Sequence, residues 1–212
     1  IRNCSPRSTE ASIIDTRGVR ELPLFPLNTV LFPTTFMPLR IFEPRYVDLV
    51  GRCMKDGAEF GVIAITEGSE TGLPARTYGT GTVATIVDFD RGNDCLLNIV
   101  IRGDGRFRLL TRSIQDDNLL LCHVRYLDDV ARLSIPEAFQ YLADLLQEIV
   151  SNAEVVLIPG PAPSTASQLV YGLAQFLPLT LAAKVRLLEI DNPLNLLKRM
   201  SIDVRRLAAT SR

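Results

Sequence analysis

The chain has 212 residues, with 23 Lys and Arg against 24 Asp and Glu, for a formal net charge of −1. That length buries a real core in one large domain or two small ones, and the balanced charge supplies no global field for nucleic acid or an anionic membrane, so any such site has to be local. Cys4, Cys53, Cys95 and Cys122 lie far apart beside a single histidine, which argues against a zinc site and against a disulfide framework.

Reduced thiols and the lack of a leader pattern point to the cytoplasm. No apolar run approaches the ~20 residues that cross a bilayer. Residues 1–18 show no hydrophobic period and read as a flexible amino-terminal arm.

From Val19 the chain is apolar, but prolines at 23, 26, 33 and 38 forbid helix and favour short edge strands with turns. The alternation of Met37, Leu39 and Ile41 ends a strand. Glu43 then suits an N-cap and Pro44 the first helical position. Tyr46, Val47, Leu49, Val50, Cys53 and Met54 fall on one helical face, with Arg45, Asp48, Arg52 and Lys55 on the other, and Gly57 stops the helix. The charged corner Arg40-Glu43-Arg45 is therefore explained by a strand handing over to a helix.

Strands are predicted at 60–66 and roughly 78–90, with a turn at 91–94. Residues 95–102 and 106–112, split by Gly103-Asp104-Gly105, read as a hairpin, and 119–126 as the next strand. After Asp129 the period turns helical: Ser134 and Glu137 predict a capping box for a helix whose apolar face carries Phe139, Leu142, Leu145, Leu146, Ile149 and Val150. The segment PGPAPS at 159–164 is a rigid connector, helices follow at about 165–177 and 181–190, and Asn192-Pro193 opens a last one. The plan is α+β: a mostly antiparallel sheet curled into a barrel over 19–130, then a helical bundle over 131–212.

Chemical constellations are few. Nothing matches G-x-x-x-x-G-K-[ST], the loop that cradles phosphates with backbone amides, and Lys184 and Lys198 sit in amphipathic helices without the shielded setting of a Ser–Lys pair. Cys122 and His123 are neighbours in a strand and so point to opposite faces. Asp88 and Asp90 with Asn93-Asp94 lack the Gly and late Glu of a calcium loop. No metal, cofactor or catalytic residue is assigned. Arg102, Arg106 and Arg108, extended by Arg112, share outward positions in the expected hairpin and form the candidate nucleic-acid stripe, with Asp104, Asp116 and Asp117 there to neutralise it.

LPLFPLNTVLFP (22–33) followed by PLRIFEPRYVDLV (38–50) resembles the start of the amino-terminal domain of Lon proteases. FGVIAI (60–65), YGTGTVATIV (78–87), NIVIRGDGRFRLL (98–110) and the helical ending at 177–200 are similar to later parts of that domain in order, so the resemblance covers roughly 19–205. It implies a PUA-like β-barrel followed by a helical bundle, a site where unfolded polypeptide docks, and a stand-alone form without the family's ATPase and protease. The expected partners are unfolded or partner polypeptides and a Lon-type protease, with neither nucleic acid nor membrane. The candidate surface is 30–38, with Phe32, Phe36 and Met37, because Met and aromatic rings suit varied apolar segments. The alternatives are an RNA-binding PUA-like protein and a small-molecule enzyme using the cleft between barrel and bundle.

Overall fold

The computed structural model describes residues 18–91, 96–152 and 162–210; the expected arm up to residue 17, the turn beyond Arg91 and the start of the connector at 159–164 lie outside the described residues. The fold is α+β. Among the described residues six strands, β1 (Val19–Leu27), β2 (Phe36–Ile41), β3 (Phe60–Glu67), β4 (Arg76–Arg91), β5 (Leu97–Ile114) and β6 (Leu120–Tyr126), form one sheet. The α-helices among the described residues are α1 (Pro44–Asp56), α2 (Gln140–Asn152), α3 (Ala166–Phe176), α4 (Leu181–Leu188) and α5 (Pro193–Thr210). None is long and apolar enough to cross a membrane.

Sheet order is β2-β5-β4-β3-β1-β6, and β6 pairs in turn with β5. The ladder therefore runs in a circuit through β5, β4, β3, β1 and β6, with β2 added beside the first half of β5. Every pairing is antiparallel except β1 with β3.

The prolines of β1 do not sit on an edge strand as expected. Residues Val19 to Leu24 pair with β6 and Leu24 to Leu27 with β3, so only Leu24 carries a partner on both sides. Each half of the strand has one free side, and Pro23 and Pro26 occupy one half each. A missing N–H is tolerated where no neighbour asks for it.

The expected hairpin at Gly103-Asp104-Gly105 is not formed either. β5 is one strand of 18 residues running straight through those glycines. Opposite them the register steps from Thr82/Arg106 to Ala84/Gly103, a bulge with an extra residue in β5. The glycine serves close approach rather than reversal. Gly103 exchanges backbone hydrogen bonds with the 34–35 segment, and a Cβ there would lie 2.1 Å from the Phe32 carbonyl oxygen. Gly103→Ala is expected to lower stability by about 1–3 kcal/mol, because backbone rather than a movable side chain must yield; urea titration measures it, and a shift within noise contradicts this contact.

Helix α1 forms as its sequence demands. Glu43 is extended at the N-cap, Pro44 occupies the first turn, and Gly57 closes the helix in the left-handed region at φ 64°. Tyr46, Leu49, Val50 and Cys53 pack into one core with Phe25, Phe60, Ile99 and Ile101, whereas Val47 and Met54 stay exposed. Arg45, assigned to the outer face, is instead buried. It pairs with Glu43 at 2.9 Å, donates to the Asn118 carbonyl at 2.8 Å and lies over the Tyr46 ring.

No capping box forms at Ser134. A short 3-10 turn over Glu137–Phe139 precedes α2, with extended Pro136 as its cap residue and no side-chain cap. The box appears at α3, where Thr165 and Gln168 satisfy each other's backbone amides. Asn192 does cap α5, its Oδ1 accepting from Leu194 and Asn195. Helices α2 to α5 share a core that also takes in Val30, Phe32 and Ala64, so the helical part is packed onto the 28–35 loop and β3.

Candidate functional site

Among the described residues β2 pairs along one side only, with β5. The Thr35 carbonyl accepts from Gly103 in β5, while the Phe36 carbonyl turns away and accepts from Gln175 of α3 at 2.6 Å. Strand alternation then directs the backbone groups of Pro38 away from β5. Pro38 has no N–H, so this edge is blunted against indiscriminate strand pairing.

Two depressions meet at Pro38-Leu39-Arg40. The larger, about 300 Å³, lies over β2, β5 and β4 and is lined by Asp88, Phe89, Asp90 and Asn98 as well. The smaller, about 160 Å³, is walled by Phe25, Leu27, Phe42, Tyr46 and Glu70. Register explains the larger one. Pro38 and Asp88 both pair with Val100, and Arg40 and Asp90 both pair with Asn98, so these side chains share rows across three strands. Phe42 is 58% exposed and Phe89 59% exposed, an unusual state for aromatic rings beside apolar hollows.

The floor of the smaller pocket is rigid. Tyr46 stacks on Phe25 with ring centroids 4.0 Å apart, and burial pushes its phenol up to about 12, so it stays neutral. The Arg45–Glu43 pair behind it ties the start of α1 to the β5–β6 turn at Asn118. The corner at 40–45 thus carries a structural clamp at Arg45 and a pocket rim at Arg40.

Residues 21–202 match the ATP-dependent protease La (LON) substrate-binding domain. The chain belongs to this family. A crystal structure of a Lon N-terminal domain protein from Xanthomonas campestris is 31% identical, with TM-score 0.71 over 86% of this chain and 98% of that one. The N-terminal domain of a Mycobacterium avium complex Lon protease, 16% identical, shares the fold with TM-score 0.60 over 85% of this chain and 96% of that one. Lon protease 1 of Bdellovibrio bacteriovorus is 26% identical over 196 residues, which is 84% of this chain but 24% of that protein. For the Lon protease of Anaeromyxobacter dehalogenans the identity is also 26%, over 70% of this chain and 17% of the relative. The chain thus spans about a quarter or less of these curated Lon proteases.

Within this Lon substrate-binding domain fold, the expected apolar site divides. Phe32 is fully buried and stacks on Tyr171 at 5.3 Å. Phe36 and Met37 are half-buried on β2, next to the depressions. Phe42 and Phe89 were missed. Phe89 stood between Asp88 and Asp90 in a strand pattern, and an aromatic flanked by two acids was the available signal.

The arginine stripe does not hold together. The bulge after Gly103 inverts the alternation, so Arg106 turns inward and is 3% exposed. Its guanidinium donates to the carbonyls of Leu188, Ile190 and Asp128 and pairs with Asp191. Arg102 pairs with Asp104; Arg108 and Arg112 are exposed.

Cys122 is buried, its thiol pushed up to about 11 by desolvation, while His123 is exposed and bonded to Thr111. The two point apart as strand geometry requires. Lys184 is half-buried on α4, where desolvation lowers its pKa. Among the described residues no cluster of three metal-ligating side chains occurs.

Proposed function

We propose that this chain is a non-catalytic, cytoplasmic module that binds segments of unfolded or partner polypeptide along β2 and hands them to a Lon-type protease. Residues 19–130 act as a PUA-like barrel and 131–212 as a helical bundle that braces it. The circuit of strand pairings supports the first unit, and the common core of α2 to α5 supports the second. The observation that carries the reading is the pair of apolar depressions meeting at Pro38-Leu39-Arg40, each beside an exposed phenylalanine.

An extended segment laid along β2 sends alternate side chains to opposite sides. Those side chains have two hollows to enter, one on the sheet face and one at the α1 corner. Pro38 limits main-chain pairing, so affinity comes from side-chain capture rather than a continuous ladder. Phe36 and Met37 extend the apolar strip toward α3.

The test is fluorescence anisotropy of a labelled, alkylated unfolded polypeptide. The double variant Phe42→Ser with Phe89→Ser is expected to bind about tenfold more weakly, with thermal stability unchanged because both rings are exposed. Equal affinity for wild type and variant would place binding elsewhere and end this reading.

A further inference from the structure

The rim of the β2 groove is not charge-neutral. Charged residues lining the two depressions are Asp88, Asp90, Glu43 and Glu70 against Arg40. Glu43 is matched by Arg45 behind the pocket. Glu70 uses one oxygen to hold the Asn28 amide, and Asp88 uses one to hold the Phe89 amide; each has a second oxygen with further acceptor capacity. Asp88 and Asp90 are exposed and share one face of β4, while Phe89 between them points to the other.

We propose that the groove selects polypeptide segments in which Lys or Arg stands close to an aromatic or aliphatic residue. This rests on the polypeptide-binding reading and assigns it a substrate class. The apolar residue fills the hollow over Pro38 and Val100, on the face that carries Asp88 and Asp90, or the one beside Phe42. The neighbouring cation meets Asp88 or Asp90 on the sheet face, or Glu70 at the α1 corner. Register keeps the two acids on adjacent rows, Asp88 with Pro38 across Val100 and Asp90 with Arg40 across Asn98. Across the three strands those rows are about 10 Å wide, within reach of a long basic side chain whose apolar residue sits in the hollow. An acidic segment meets like charges at the same places, and such repulsion is how an apolar site avoids wrong partners.

The test uses three labelled peptides with the same apolar residues, carrying Lys and Arg, Ser and Gln, or Asp and Glu between them. Anisotropy is read at low and high salt on wild type and on Asp88→Asn with Asp90→Asn, a change that keeps the oxygen holding the Phe89 amide. Wild type is expected to prefer the basic peptide over the acidic one by about tenfold at low salt, with the preference shrinking at high salt. The double variant is expected to lose most of that preference, its affinity for the basic peptide falling toward that for the neutral one. Equal binding of all three peptides by wild type, or a preference untouched in the variant, overturns the charge selection and leaves the groove standing. Binding of none of them overturns the polypeptide-binding reading itself.

Discussion

Phe32→Ala is expected to lower stability by about 3–5 kcal/mol, the range for deleting a large buried aromatic. The ring is fully buried, stacks on Tyr171, and belongs to the core shared by α2 to α5. Its own backbone is locked: the Phe32 carbonyl lies against Gly103 and accepts from the Thr35 hydroxyl at 2.9 Å. The surroundings therefore have little freedom to close over the cavity. The 28–35 loop would lose its main attachment to the helices, so the loss should appear both in the urea midpoint and as faster hydrogen exchange in α3. Polypeptide affinity measured on the folded fraction should be nearly unchanged. If Phe32→Ala left stability intact but abolished binding, the ring would be a contact residue, and its placement in the core would be wrong.

That prediction separates two things the sequence presents identically. Phe32, Phe36, Phe42 and Phe89 are all aromatic residues near prolines or acids, and no period distinguishes a ring that enters the core from one that stays outside. Local rules worked where local physics decides. Glu43-Pro44 and Gly57 bounded α1, Asn192 capped α5, and the alternation around Cys122 and His123 gave their faces. They failed where a tertiary contact set the outcome. Gly103-Asp104-Gly105 has the composition of a turn, yet the arriving backbone of residues 32–35 uses Gly103 as a docking site, and the bulge then moves Arg106 from the outside to the inside. Ser134 and Glu137 have the spacing of a capping box, but the extended Pro136 at the cap delays the helix. Arg45 was placed outside by helical period, and only the position of Asn118, 73 residues away, explains why it is buried. The family resemblance pointed to polypeptide binding, but it did not locate the groove, which depends on register between three strands.

Arg106→Ala is expected to cost about 2–6 kcal/mol, because the Leu188 and Asp128 carbonyls each lose a charged donor at about 1–3 kcal/mol apiece. A single guanidinium reaches the Leu188 and Asp128 carbonyls at 2.9 Å and 2.6 Å and Asp191 at 3.0 Å. It ties β5 to the end of α4 and to the segment after β6, so its removal leaves several carbonyls short of a donor at the seam between sheet and helices. Lysine does not restore the network, because a point charge lacks the planar fork that serves three directions at once. Asp191→Asn should matter far less, because that side chain is 82% exposed and an exposed partner contributes at most ~1 kcal/mol. The decisive comparison is therefore among Arg106→Ala, Arg106→Lys and Asp191→Asn in equilibrium unfolding. A large effect from Asp191→Asn and a small one from Arg106→Ala would show that the carbonyl contacts contribute little. The expected order, with both arginine variants well below the aspartate variant in stability, makes Arg106 the residue that locks the helices onto the sheet, and it removes that arginine from any surface that reads a phosphate.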